Sequence, residues 1–174
     1  DAPHSKCGTF GFVGSSPTAP TSLMKTYQRF PLDLIKGKGS WVWDKKGRKY
    51  LDAVAGIATC SLGHSDKALI KSLSKQLRKL QHVSNLYGIP EQEELAQWLT
   101  SNSFANSAFF CNSGAEANEA AIKLARKYGH IKRDIDNPII LCSKASFHGR
   151  TLAAVSATGQ PKYHKGFEPM VHGF

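Results

Sequence analysis

Two short segments carry residue types that converge on one kind of chemistry. The first is Asn112-Ser113-Gly114-Ala115, where Ser113 precedes Glu116 by three. That is the spacing of a capping box, in which the hydroxyl accepts from an orphan backbone N–H and the carboxylate reaches back. Gly114 removes side-chain bulk where a helix presents its free N–H groups and the positive end of its dipole, the physical requirement for a backbone phosphate cradle. An ordinary capped helix satisfies the same pattern. The second segment is Ser146-Phe147-His148-Gly149-Arg150. Phe147 offers an apolar face for a flat ring, Arg150 a rigid fork matched to a carboxylate, and His148 a group able to assist proton transfer. Singly, these residues read as a core phenylalanine, a surface ion pair and a turn histidine. Together, a phosphate nest, a ring platform and a carboxylate fork predict a flat phosphorylated cofactor acting on an amino or keto acid.

Both segments need a scaffold that brings them to one crevice. From Ser107 the pattern runs strand (SAFFCNS), glycine turn, helix (GAEANEAAIKLARKYG), strand (PIILCS), which predicts a βαβ unit with parallel strands. Ligands of such sheets collect at the carboxyl ends of the strands, where both segments fall. Upstream, SWVWDKKGRKYLD predicts a hairpin about a Lys45-Lys46-Gly47 turn. Between Asp66 and Val83, Leu69, Ile70, Leu73, Leu77 and Leu80 recur at helical spacing and predict an amphipathic helix. A shorter helix is expected from Glu91 to Thr100, opened by Pro90 and acidic residues.

Composition bounds these readings. The 174 residues hold 23 Lys plus Arg against 13 Asp plus Glu, a net charge of +10, with 41% hydrophobic and 21% charged residues. This is ordinary globular usage, so a packed core is expected rather than disorder. No run of about 18 apolar residues occurs, which excludes a spanning helix and leaves no membrane partner. The four cysteines, Cys7, Cys60, Cys111 and Cys142, form no CxxC pair, so neither a zinc site nor a disulfide framework is expected. Residues 1–22 are rich in Gly, Ser, Thr and Pro and read as a flexible arm. The arm begins at Asp1 and holds no further acidic residue, a composition expected of an organelle transit remnant, mitochondrial or plastid. A bacterial cytoplasmic protein with an arbitrary start is the alternative. Lys67, Lys71, Lys75, Arg78 and Lys79 form a basic stripe opposite the leucine face. Such a stripe is usually solvated, and an RNA or acidic protein partner is the alternative.

CNSGAEANEAAIKLARKY (Cys111 to Tyr128) and SFHGRTLAAVSATGQPKYHKGFEP (Ser146 to Pro169) resemble the class III, or subgroup II, pyridoxal-phosphate aminotransferases. TYQRFPLDLIKGKGSWVWDKKGRKYLDAVAGIA and NLYGIPEQEELA resemble the acetylornithine branch of that family. The resemblance implies a partial fold-type-I α/β architecture: the arm at 1–22, a small-domain segment at 23–84 and the first part of the cofactor domain at 85–174. It implies that Ser113, Gly114 and Ala115 bind the phosphate of pyridoxal 5'-phosphate, that Phe147 stacks on its ring, and that Arg150 takes the α-carboxylate of N2-acetylornithine or of glutamate and 2-oxoglutarate. Tyr27 and Tyr87 would lie near the substrate entrance, although packing is the commoner use of a tyrosine ring.

The implied reaction moves an amino group from N2-acetylornithine to 2-oxoglutarate, a step of arginine biosynthesis, in a homodimer. Ornithine and other ω-amino substrates are close alternatives. The family's Schiff-base lysine and the acidic partner of the pyridine nitrogen lie beyond Phe174 by this resemblance, and no lysine here matches the catalytic one. The 174-residue chain alone is therefore expected to be inactive. It reads either as part of a longer enzyme or as a truncated form with a structural or binding role.

Overall fold

The computed structural model describes residues 22–24 and 26–174. The arm expected at 1–22 thus lies almost wholly outside the described residues. The chain divides into two compact units, Asp1–Leu86 and Tyr87–Phe174.

The first unit is built on a three-stranded antiparallel sheet of β1 (Leu34–Lys38), β2 (Trp41–Asp44) and β3 (Lys49–Leu51) in the order β1-β2-β3. The expected hairpin is β2–β3, with Trp43 opposite Lys49; β1 adds a strand that alternation alone did not mark. Alternation along β2 sends Trp41 and Trp43 to one face, where Lys49 lies 3.9 Å from the Trp41 ring centre. Val42 and Asp44 turn inward and are buried.

A buried carboxylate must be fully satisfied, and Asp44 is. It accepts from the backbone N–H groups of Lys46 and Arg48 at 2.9 Å each, from Arg48 Nε at 2.7 Å and from Tyr50 OH at 3.0 Å. Burial alone would raise its pKa, but hydrogen bonds from Arg48, Tyr50 and Lys46 outweigh this and hold it at about 2. A depressed carboxyl contributes stability above its unfolded pKa, and loses it as pH falls through the folded value. Asp44→Asn should therefore lower the urea midpoint at neutral pH, and the gap to wild type should close between pH 4 and about 2. A gap that is constant across this range would contradict the assignment.

After β3 the chain enters α1 (Ala55–Ala58), a single left-handed turn. Its φ values are +49° at Ala55, +62° at Gly56, +59° at Ile57 and +61° at Ala58. L-residues pay about 1–2 kcal/mol each in this conformation, so the surroundings must impose it. Asp52 does so with one carboxylate oxygen, which accepts from Val54 N–H at 3.1 Å and Ala55 N–H at 2.8 Å. Its other oxygen lies 2.6 Å from His64 Nε2, and that contact, foremost among its partners, pulls the Asp52 pKa down. A cavity of about 160 Å³ beside the turn is lined by Asp52, Ala55, Cys60, His64 and their neighbours.

Helix α2 (Lys67–Lys79) is the expected amphipathic helix, opened by Asp66, whose side chain accepts from Leu69 N–H at 2.8 Å. It ends four residues earlier than Val83 because Leu80 is already extended. Among the described residues its apolar stripe is not covered: Leu69, Ile70, Leu73 and Leu77 are all about half exposed.

The second unit contains α3 (Pro90–Ser101), α4 (Gly114–Arg133), α5 (Leu152–Ala157) and a 3₁₀ turn at Pro161–Tyr163. Its core is small: Ile122 of α4 with Ala154, Val155, Ala157 and Thr158. Two expectations are corrected here. Among the described residues, neither 107–113 nor 138–143 belongs to a strand ladder. The backbone N–H of Ile140 donates instead to Gly173 O at 2.9 Å, so the second segment is engaged by residues near Phe174 rather than by the first. Nor does α4 stop at Gly129, which is buried inside the helix. A Cβ there would sit 2.8 Å from Pro138 Cβ, so this glycine serves the close return of the chain, and the helix continues to a left-handed cap at Asp134. Tyr27 and Tyr87 are more than half exposed, at 56% and 69%.

Candidate functional site

The first turn is set by α4. Ser113 is its N-cap, extended at φ −154° and ψ 158°, and its hydroxyl oxygen accepts from Glu116 N–H at 3.2 Å. The Glu116 carboxylate reaches one residue further back than a standard capping box, accepting from Asn112 N–H at 2.6 Å and from Asn112 Nδ2 at 3.3 Å. Asn112, through its side chain and then its backbone, holds the Glu116 carboxyl below the ordinary range. The carboxylate is thereby occupied upstream of the helix. First-turn donors have no acceptor inside a helix, which leaves the N–H groups of Gly114 and Ala115 for a ligand. A Cβ on Gly114 would meet no atom within 4 Å, so the space above the helix start is open. An anion such as a phosphate fits this arrangement by charge and by room.

The second turn is laid directly on the first. Gly149 is buried at φ +129°, a region reserved for glycine, and a Cβ on it would fall 2.8 Å from Ala115 Cβ and 3.2 Å from Ala154 Cβ. Only a glycine lets the Phe147–Arg150 segment touch the first turn of α4. Phe147 is 55% exposed, and its ring meets Tyr163 edge-on at 5.7 Å between centres. An edge-to-face contact thus steadies the Phe147 ring while the side chain remains accessible. Arg150, also exposed, follows immediately. The residues expected to act together, Ser113, Gly114 and Ala115 on one side and Phe147 and Arg150 on the other, therefore belong to adjoining turns of one unit.

Several residues that hold this arrangement were not evident in the sequence. Asn118 Nδ2 donates to His148 O at 2.7 Å, and His148 N–H donates to Thr158 Oγ1 at 3.0 Å. Thr158 is 1% exposed, and its hydroxyl donates onward to Ala154 O at 2.9 Å. Glu119 Oε1 accepts from the Thr151 hydroxyl and from Ala154 N–H, closing the start of α5. Ala115, Asn118, Glu119 and Ile122 lie at helical spacings of three and four, on one face of α4. The available signal was a pair of polar residues at the spacing of a buried stripe. His148, considered for proton transfer, is held through its backbone, while its Nδ1 is buried without a hydrogen-bond partner.

Known proteins resemble this chain along most of its length. Residues 23–174 match the family described as aminotransferase class-III. An acetylornithine aminotransferase of Prochlorococcus marinus is 78% identical over 174 residues, covering 100% of this chain and 42% of that protein. An ornithine aminotransferase from Toxoplasma gondii, with partial occupancy of pyridoxal phosphate at its active site, superposes with a TM-score of 0.82 at 28% identity, covering 88% of this chain and 36% of that one. An (S)-enantioselective ω-transaminase from Thermomicrobium roseum gives 0.78 at 36% identity, covering 83% and 33%. The chain thus spans about 42% of the length of the curated relatives it matches.

The Prochlorococcus alignment includes residues 1–22. A cyanobacterial relative thus aligns along the arm, and the expected organelle transit remnant finds no support. No helix among the described residues is long and apolar enough to cross a membrane. The match over residues 23–174, the fold-type-I neighbours and the two adjoining turns lead to one conclusion: the chain belongs to the class III aminotransferases, a pyridoxal-phosphate-dependent family.

Proposed function

We propose that the complete protein transfers the amino group of N2-acetylornithine to 2-oxoglutarate, with pyridoxal 5'-phosphate as cofactor, in a homodimer of the bacterial cytoplasm. The observation that carries this reading is the seat of Gly149 on Ala115, which sets an anion cradle beside a ring platform and a guanidinium fork. The N–H groups of Gly114 and Ala115 and the Ser113 hydroxyl hold the cofactor phosphate. Phe147, braced by Tyr163, covers one face of its ring. Arg150 binds the α-carboxylate of each substrate through two parallel hydrogen bonds, orienting the amine or keto carbon toward the ring. When bound, the cofactor would supply an electron sink at the amine-bearing carbon, which is the δ-carbon of N2-acetylornithine, whose α-amine is acetylated, and the α-carbon of glutamate. The 78% identity to an acetylornithine aminotransferase favours N2-acetylornithine over other ω-amino compounds. The 174 residues contain no lysine matching the family's catalytic one, so the chain by itself does not turn over.

The test is the full-length protein loaded with pyridoxal phosphate and given N2-acetylornithine, ornithine and 4-aminobutyrate separately, with 2-oxoglutarate as acceptor. N2-acetylornithine should be preferred by at least about tenfold in kcat/KM, the discrimination one well-formed polar contact supplies. A preference for either alternative donor would reassign the substrate. Turnover by the 174-residue chain alone would refute its inactivity.

A further inference from the structure

Arg150 sits in a short connection between Gly149 and the start of α5, and a flexible arginine there would be a poor fork unless its backbone were fixed. The structure pins that connection on both sides. Before Arg150, Asn118 Nδ2 holds His148 O at 2.7 Å; after it, Glu119 Oε1 holds the Thr151 hydroxyl and, at 3.3 Å, Ala154 N–H. Both pins come from consecutive residues of α4, about one helical turn beyond Gly114 and Ala115. The same rigid helix therefore carries the proposed phosphate donors and the anchors of the proposed carboxylate fork. Gly149, at φ +129° between the pins, is the point about which an unpinned connection would pivot.

We propose that Asn118 and Glu119 are positioning residues for Arg150, fixing the distance between the substrate-carboxylate fork and the phosphate cradle of α4. The inference rests on the carboxylate role given to Arg150 above. Reaction rates and affinities fall steeply with displacement, by about 100-fold for a 1 Å misplacement, so two hydrogen-bonded pins are a sufficient device. A purely structural cap of α5 is the competing account. It predicts loss of stability and a uniform loss of binding, whereas positioning predicts a loss that depends on Arg150 being present.

The experiment uses the full-length protein loaded with pyridoxal phosphate, with glutarate, a dicarboxylate lacking amino and keto groups, as the probe. Glu119→Ala and Asn118→Ala should each weaken glutarate about tenfold by calorimetry, while cofactor affinity of the apoprotein stays within about twofold of wild type. Glu119→Gln, which keeps an acceptor oxygen for both contacts, should restore glutarate binding to within about twofold. In an Arg150→Ala background the same two alanine substitutions should change glutarate affinity by less than about twofold, because the group they position is gone. Additive losses in that background, or equal losses of cofactor and glutarate, would overturn the proposal. If Glu119→Ala does not fold, Asn118→Ala carries the same comparison from the other pin. Wild-type glutarate affinity in Arg150→Ala would remove the carboxylate reading and this inference with it. A loss in Arg150→Ala with none in either pin variant would remove the positioning role alone.

Discussion

Gly149→Ala should lower the stability of the full-length protein by about 2–4 kcal/mol, combining strain in a glycine-only backbone region with overpacking. The cause is geometric. At φ +129° the added Cβ has no relaxed position, and it lands 2.8 Å from Ala115 Cβ and 3.2 Å from Ala154 Cβ. Neither neighbour is the far end of a flexible side chain: Ala115 is in the first turn of α4, and Ala154 is fully buried. Relief therefore requires the second turn to lift away from the first, which separates Phe147 and Arg150 from Gly114. Activity should fall by about 100-fold or more even in the fraction that folds, since a displacement near 1 Å suffices for that. Urea unfolding with steady-state kinetics on the same preparation checks both parts. Gly114→Ala is the contrast in stability alone, because its Cβ would meet no protein atom within 4 Å and a helix gains from the change. A Gly149→Ala protein as stable as wild type would mean that the two turns are not held in contact.

Arg150→Lys should reduce kcat/KM by about 100-fold through weaker binding of both amino donor and keto acceptor, because an ammonium cannot reproduce two parallel hydrogen bonds. Charge is conserved in this substitution, so the loss isolates the planar geometry of the fork. The effect should fall on KM for the donor and for 2-oxoglutarate alike. A protein that loses activity with the amino donor only would place the carboxylate of 2-oxoglutarate elsewhere.

The helices were readable where periodicity and caps coincide. The leucine stripe marks α2, whose Asp66 cap the structure adds, while Pro90 with Glu91 marks α3 and Ser113 with Glu116 marks α4. The end of α4 was misread because Gly129 has the appearance of a stop signal, while its actual role depends on Pro138, nine residues on and invisible to any local window. The expected strands failed for a related reason: apolar runs such as residues 138–143 specify extended backbone, but pairing depends on what lies alongside, and Gly173 holds Ile140 here. The left-handed turn Ala55–Ala58 had no local signature at all. Its sequence is unexceptional, and the conformation is imposed by Asp52 with His64.

In the candidate site, the residue types pointed to phosphate, ring and carboxylate binding. That both turns meet followed from placing them at the ends of neighbouring segments, although the segments themselves do not pair. What the sequence could not reveal is how the meeting is enforced. Asn118 and Glu119 resemble solvent-facing polar residues of a capped helix until the second turn is seen to lie on them. Gly149 likewise passes for an ordinary turn glycine until Ala115 is found beneath it.

In the proposed function α4 and the turn lying on it divide the work, one holding phosphate and the other carboxylate. The most direct measurement compares two affinities in full-length Arg150→Lys: pyridoxal phosphate binding to the apoprotein and glutarate binding to the loaded protein. Cofactor affinity should be unchanged and glutarate should bind about 100-fold more weakly. Equal losses of both ligands, or unchanged glutarate binding, would contradict this division.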